Sequence, residues 1–276
     1  MKLLLDSFWR AAAYCLYPRV IALSLLPLGI MLALTFLLGY FFWQPALQAV
    51  RGWLQGSGVI TTFWGWLQPL GVGSVGDVLA PVALVLGVTP LIVLASLLLV
   101  ALLLAPAMLR LVAARRFGQL ARQGSGSVAA SALWSLGHTA LALLALAVTL
   151  PLWLVPPLIL LLPPLIWGWL TYRVMSFDAL AEHASAEERR ALLKAHRWPL
   201  LVMGVVCGYL GAAPGVVWAS ATLFAVAFAL LIPVAIWIYT LVFAFSSLWF
   251  THYCLAALQA HRAMAGKMSI APAPQG

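Results

Sequence analysis

Charge is what this sequence has least of. Only 8% of its 276 residues are Asp, Glu, Lys or Arg, where a water-soluble domain carries about 25%. So few charges cannot cover a water-facing surface, which excludes an ordinary soluble domain and makes lipid the main solvent. Acidic residues are scarcest, six against fifteen Lys and Arg. None of the four charged types falls in the middle of a predicted span, so the intramembrane relays and counter-ions of pumps and ion-coupled transporters are missing. No nucleophile elbow, P-loop or HExxH pattern occurs, and no acid, base and nucleophile converge. The expectation is a protein that is not an enzyme, with no catalytic residue, cofactor or metal. Cys15, Cys207 and Cys254 are far apart and odd in number. They give neither a complete disulfide framework nor a zinc spacing.

What is present is apolar. Hydrophobic residues make up 65% of the chain, and the mean hydropathy is +1.07. The net charge of +9 raises the question of nucleic acid. The basic residues, however, sit between apolar runs and form no stripe, which is the signature of cytoplasmic loops flanking membrane spans. No nucleic-acid partner is expected. Lys2 is followed too soon by Asp6 and Arg10 for a cleaved signal peptide, and the N-terminus is expected to be retained.

Residues 1–18 read as an amphipathic helix lying in the headgroup plane. Leu4, Leu5, Phe8, Trp9 and Ala12 mark one face, Asp6 and Arg10 pair on the other, and Trp9 and Tyr14 anchor it. Pro18 breaks it and Arg19 marks the water boundary. Residues 20–43 are uncharged and reach about 36 Å as a helix, enough to cross a bilayer. Phe41, Phe42 and Trp43 close the run. Residues 44–77, with Arg51, Asp77, Trp53, Trp64 and Trp66, read as an interfacial loop on the far side, with room for a short helix at its start. A second run covers 78–109. It ends in the basic loop of Arg110, Arg115, Arg116 and Arg122, followed by the flexible Gly124-Ser125-Gly126-Ser127.

Residues 128–172 carry no charge, and Pro151, Pro156-Pro157 and Pro163-Pro164 interrupt them. They predict helices over 132–150 and 158–172 joined by a proline-rich turn. The stretch from Arg173 to Arg197 is basic. Within it, Ser185 followed by Glu188 makes a capping box for a short water-facing helix over 186–197. Residues 198–251 are uncharged and broken at Gly211-Ala212-Ala213-Pro214-Gly215. The piece before the break reaches only about 20 Å, short of a bilayer core.

The fold class is therefore an all-α integral membrane protein. It has about six membrane helices in three hairpins, some of them half-spanning, plus the N-terminal interfacial helix. Residues 1–262 form one helical domain and 263–276 a disordered tail. Charge places every basic segment and both termini in the cytoplasm; a split at Pro233 would instead give a seventh crossing.

Arg19, Arg115, Arg116, Arg173 and Arg197 at the span ends either set topology and touch lipid headgroups or form an electropositive mouth that gathers anions. Turns inside the membrane are the other pointer, since half-helix N-termini can face an anion. Gly211 and Gly215, and the turn at 151–164, are the candidates. His138 is either a relay or a packing residue bonded to a neighbouring helix. His252 and Tyr253 read as interfacial anchors. Asp178, Glu182 and His183 read as a solvated face before a metal site.

This order of parts resembles the CysZ-like sulfate permeases, which share the etoposide-induced-protein domain. The resemblance rests on Leu104-Ala105-Pro106-Ala107-Met108-Leu109 leading into a charged loop. It rests also on Trp169-Leu170-Thr171-Tyr172 through Phe177-Asp178, and on Ala212-Ala213-Pro214 with Trp218-Ala219. It covers most of residues 1–260. It implies a bacterial inner-membrane protein that admits sulfate, with oligomeric protomers and some helices too short to cross. The family's Gly-Leu-Arg motif after the first helix, tied to sulfate binding, falls on Tyr17-Pro18-Arg19-Val20. Here Gly-Leu is missing and only Arg19 carries over. The expected function is a passive pathway for a sulfate-like anion, with membrane lipids and copies of the chain as partners. The alternative is a non-transporting scaffold or assembly factor that binds a partner through residues 173–197.

Overall fold

The computed structural model describes residues 2–58, 62, 75–124, 128–218 and 221–270. Among them the chain is helical and holds no strand. Its helices are α1 (Lys2–Cys15), α2 (Pro18–Gly56), α3 (Val75–Arg116), α4 (Val128–Thr149), α5 (Pro156–Ala181), α6 (Ala186–Ala195), α7 (Arg197–Trp218) and α8 (Ala221–Ile270). Among the described residues, five helices are long and apolar enough to cross a membrane: Pro18–Gly56, Leu79–Ser96, Ser131–Leu154, Pro157–Ala181 and Pro233–Ala265. Arg197–Ala212 is a shorter apolar segment. An all-α membrane protein follows, because in lipid only a helix satisfies its own backbone within one segment.

The expected helix limits need correction in several places. α2 does not stop at Trp43. It runs 39 residues to Gly56, about 58 Å, so Arg51 and Trp53 are helical rather than in a loop. Trp64 and Trp66 lie outside the described residues. Pro27 and Pro45 sit inside α2, as apolar surroundings allow where no water competes for the backbone. α3 continues through Arg110 and ends at Arg115 and Arg116; arginine is a good helix former and favours the negative end of the helix. Residues 125–127 of the expected flexible loop lie outside the described residues.

The turn between α4 and α5 is a single 3-10 turn, Leu150–Leu154, and Val155 in extended conformation begins α5. Pro163 and Pro164 are inside α5, so the expected turn over 151–164 is confined to its first part. α5 also extends past Tyr172 and takes in Arg173 and Asp178. No break occurs at 211–215: α7 is helical through Trp218, because two alanines and the absence of competing water keep the backbone bonded across the glycines. α8 is helical to Ile270, inside the stretch expected as tail, and residues 271–276 lie outside the described residues.

The backbone separates into two compact units. Leu25–Ala101 forms one of them, from most of α2 and the first part of α3. Its core is Leu47, Leu54, Ala80 and Leu84 with Ala46, Val50, Leu79 and Val88 around it, an i, i+4 stripe on each helix. Arg51 and Asp77 pair at 3.2 Å beside it. Leu32, Phe36 and Tyr40, also spaced by four, are each more than 70% exposed, as a lipid-facing stripe requires.

The other unit holds the residues up to Ser24 and those from Leu102 on. α5 is its centre and packs on α4, α7 and α8, while α1 lies along α8. The α5–α7 crossing depends on missing side chains. A Cβ on Gly168 would come 2.7 Å from the Val205 Cα, and one on Gly208 would meet the Pro164 carbonyl and the Gly168 backbone. Gly204-Val205-Val206-Cys207-Gly208 is the small-xxx-small pattern that lets membrane helices approach backbone to backbone.

Candidate functional site

Basic side chains collect at three places in the larger unit, and each place treats them differently. The first is the elbow between α1 and α2. α1 is not a free interfacial helix: Ser7 and Ala11 are fully buried, and Phe8 packs edge-on against Phe245 and Trp249 of α8. The Trp249 indole N–H donates to the Leu4 carbonyl at 3.3 Å. Of the face predicted from spacing, Leu5 and Trp9 are exposed instead. The expected Asp6–Arg10 pair is present at 2.9 Å. Arg116 from α3 joins Asp6 at 3.2 Å. The Arg10 hydrogen bond, then its charge and that of Arg116, hold the Asp6 carboxyl below its usual range.

Arg116 also lies 3.4 Å from His252 Nδ1, and the His252 ring meets Tyr14 edge-on. His252 and Tyr253 are therefore buried packing residues rather than interfacial anchors; the Tyr253 hydroxyl bonds His196 Nδ1 at 2.9 Å. Arg115 stacks on Tyr17 with its guanidinium carbon 4.6 Å from the ring centroid. Tyr17 belongs to the elbow that carries Arg19. Arg115 and Arg19 are both exposed, and neither is paired with a carboxylate among the described residues. Of the sequence-predicted residues, Arg115 stacks at the elbow that carries Arg19, and Arg116 pairs with Asp6 of α1. Only Arg116 is neutralised.

The second place is the corner beside α6. The capping box forms as expected: the Glu188 N–H donates to Ser185 Oγ, and the Ser185 N–H donates to Glu188 Oε2. Arg262 of α8 then grips Glu188 with Nε at 2.7 Å and Nη2 at 2.9 Å. It also donates to the Ala121 carbonyl at 2.8 Å and the His183 carbonyl at 2.7 Å. Arg262 lowers the Glu188 pKa, and burial lowers that of His183. Glu182 turns away to Arg122 at 2.8 Å. Arg197 lies apart, exposed over its neighbour Trp198.

The third place is the α4–α5 hairpin. Arg173 lies within α5, and its Nε donates to His138 Nε2 across the hairpin at 3.1 Å. Gly211, by contrast, meets no neighbouring side chain or backbone within 4 Å of a built Cβ. Gly211 and Gly215 lie along α7 and form no turn facing an anion.

A family described as "Sulfate transporter CysZ/Etoposide-induced protein 2.4" matches residues 7–221, well over half of the chain. The chain belongs to this family. Comparison with curated proteins and with solved structures gives no match. The match begins within α1 and runs through α7, so it contains the elbow, the hairpin and the α6 corner, but not Arg262.

Sequence reasoning missed two features. One is the Arg173–His138 bond, joining residues 35 positions apart with no local signal. The other is the glycine crossing, whose signal at Gly204 and Gly208 stood in the sequence.

Proposed function

We propose that this chain is a passive pathway for a sulfate-like oxyanion in a bacterial inner membrane, built as a homo-oligomer with both termini cytoplasmic. The observation that carries the reading is the α1–α2 elbow. Arg19 and Arg115 are exposed there without carboxylate partners, while the neighbouring Arg116 is paired with Asp6. Unpaired guanidiniums offer forked donors that suit a tetrahedral oxyanion. The family match supports the same class of substrate, and the positive-inside pattern supports the orientation.

Proteoliposomes test the proposal. The expected outcome is entry of labelled sulfate down its gradient without a proton or sodium gradient. Flux no greater than in empty vesicles removes the reading. Arg19→Ala is expected to lower the initial rate about tenfold, the size of one lost charge-assisted hydrogen bond. An unchanged rate assigns Arg19 to topology alone.

The scaffold reading keeps one supporting feature, the exposed face of Glu187, Arg190, Ala191 and Lys194 on α6. The rest of residues 173–197 is narrower ground for a partner. Arg173–Ala181 is inside α5, Glu188 is held by Arg262, and Arg189 stacks on Phe177 at 4.3 Å. Affinity purification from membranes that returns this chain alone would leave that reading without support.

A further inference from the structure

Arg173 is held as a binding residue is held. His138, its partner, stands midway along the 22 residues of α4, about 16 Å from either end. The two helices form a hairpin whose windows Ser131–Leu154 and Pro157–Ala181 both have membrane-spanning length. A charge within such a window is costly and marks a functional position.

The hydrogen bonds fix the protonation of the imidazole. His138 Nδ1 lies 2.9 Å from the Trp134 carbonyl, and a carbonyl can only accept, so Nδ1 carries the proton. Nε2 then presents a lone pair, which takes the Arg173 Nε–H. This neutral tautomer adds no charge and orients the guanidinium from its inner edge.

The flat faces of the guanidinium are also fixed. Its carbon lies 5.2 Å from the Trp134 ring and 5.9 Å from the Tyr172 ring. Trp134 is stacked on Phe177 at 4.8 Å with 15° between planes. Its indole N–H donates to the Arg173 carbonyl at 3.2 Å. What remains open is the outer edge. Nε is the only one of the Arg173 nitrogens bonded, and Nη1 and Nη2 have no acceptor among the described residues. No carboxylate pairs with Arg173; Asp178, on the same helix, makes no ion pair with it. A guanidinium with positioned inner edge, stacked faces and four open donors fits two oxygens of a tetrahedral anion.

We propose that Arg173 is an oxyanion-binding residue inside the α4–α5 hairpin, and that His138 is the positioning residue that aims it. The proposal rests on the anion reading above and adds an internal station to the elbow. Topology alone does not account for the arrangement, since a residue that only marks the membrane boundary needs no histidine partner midway along the facing helix. The shared ligand chemistry is an oxyanion, either a free one such as sulfate or the phosphate of a lipid headgroup.

The full-length chain in detergent gives the test, by equilibrium binding of labelled sulfate together with native mass spectrometry of retained phosphatidylglycerol. Arg173→Gln is expected to weaken one of the two by about tenfold or more, with wild-type elution and melting. Loss of sulfate identifies a free anion; loss of the lipid identifies a headgroup. Arg173→Lys keeps the charge without the fork and is expected to fall between; it serves as the deciding variant if the glutamine variant does not fold.

His138→Leu is expected to weaken the same ligand about fivefold, and His138→Gln, whose amide oxygen accepts the Nε–H, to restore most of the affinity. Unchanged sulfate and lipid retention in the folded Arg173 variants overturns the proposal. A wild-type chain that holds neither ligand overturns it as well. Flux separates the two readings. Binding that depends on Arg173 in a chain that carries no sulfate keeps this site and removes the transport reading. Flux that is identical in wild type and Arg173→Gln, with sulfate and lipid retention also unchanged, does the reverse.

Discussion

The α6 corner and the α4–α5 hairpin each hold one arginine from a long apolar helix, and they hold it in opposite ways. Arg262 donates to both oxygens of Glu188 and to two backbone carbonyls, and both side chains are less than 20% exposed. Its charge is met and four of its five N–H donors are used. Arg173 makes a single side-chain bond, to a neutral imidazole. The first arrangement has little left to give a ligand; the second has a charge and a donor edge still open. Number or proximity of arginines therefore says little about anion binding. What separates a structural arginine from a binding one is whether the protein itself supplies the counter-charge.

That contrast requires an intact scaffold, and the largest expected effect comes from removing it. A Cβ on Gly204 would meet the Gly168 carbonyl and lie 2.8 Å from the Tyr172 Cβ, next to Arg173. Backbone atoms cannot move aside as a flexible side chain can. Gly204→Val is expected to cost about 4 kcal/mol or more, seen as loss of the monodisperse peak in detergent. If the variant instead melts like wild type, the α5–α7 crossing is not what fixes the hairpin.

Arg262→Ala comes next. It strands a half-buried carboxylate and two carbonyls at once, and losing such charge-assisted bonds costs about 2 kcal/mol. Thermal melting in detergent reads it, and a loss under about 1 kcal/mol would place Arg262 among ordinary surface pairs and dissolve the contrast.

Acid sharpens the same half of the comparison. The Glu188 pKa lies below its ordinary value of 4.5, first because Arg262 donates to it and also because the Ser185 N–H does. A carboxyl with a depressed folded-state pKa contributes stability above its unfolded value, and that contribution is lost as pH falls through the folded one. The melting gap between wild type and Arg262→Ala is therefore expected to hold from pH 7 to about 4.5 and to narrow below it. A gap that stays constant through acid would mean that the arginine acts through its carbonyl contacts alone.

Much of the fold was legible because its signals are local. Ser185 and Glu188 announce a cap three residues apart. Asp6 and Arg10 announce a pair four apart, and Pro151 with Pro156-Pro157 announces the hairpin turn. Helix ends were less legible, since an apolar run shows where lipid stops rather than where a helix does. Arg110, Arg115 and Arg116 leave the apolar stretch without leaving α3. Gly211 and Gly215 misled for a related reason: glycine weakens a helix chiefly in water, and α7 passes through them. Arg19, Arg115 and Arg116 were readable as one basic region, but their division into free and neutralised members was not. It depends on Asp6, 110 positions from Arg116 in the chain. Arg173 read as a boundary marker, because nothing near it in sequence points to His138.

The smallest expected effect is the one that separates the two arginines most clearly. Arg173→Ala removes one hydrogen bond to a neutral ring and some stacking on Trp134, but it leaves no carboxylate stranded. It also relieves the chain of an unpaired cation between membrane-length helices, and the two contributions oppose each other. The net change in stability is expected to be within about 1 kcal/mol, against the larger loss at Arg262, with melting measured side by side in the same detergent. A loss at Arg173 equal to that at Arg262 would mean that the hairpin depends on this side chain as the α6 corner depends on its own. The open donor edge would then be a by-product of packing rather than a place kept for an anion.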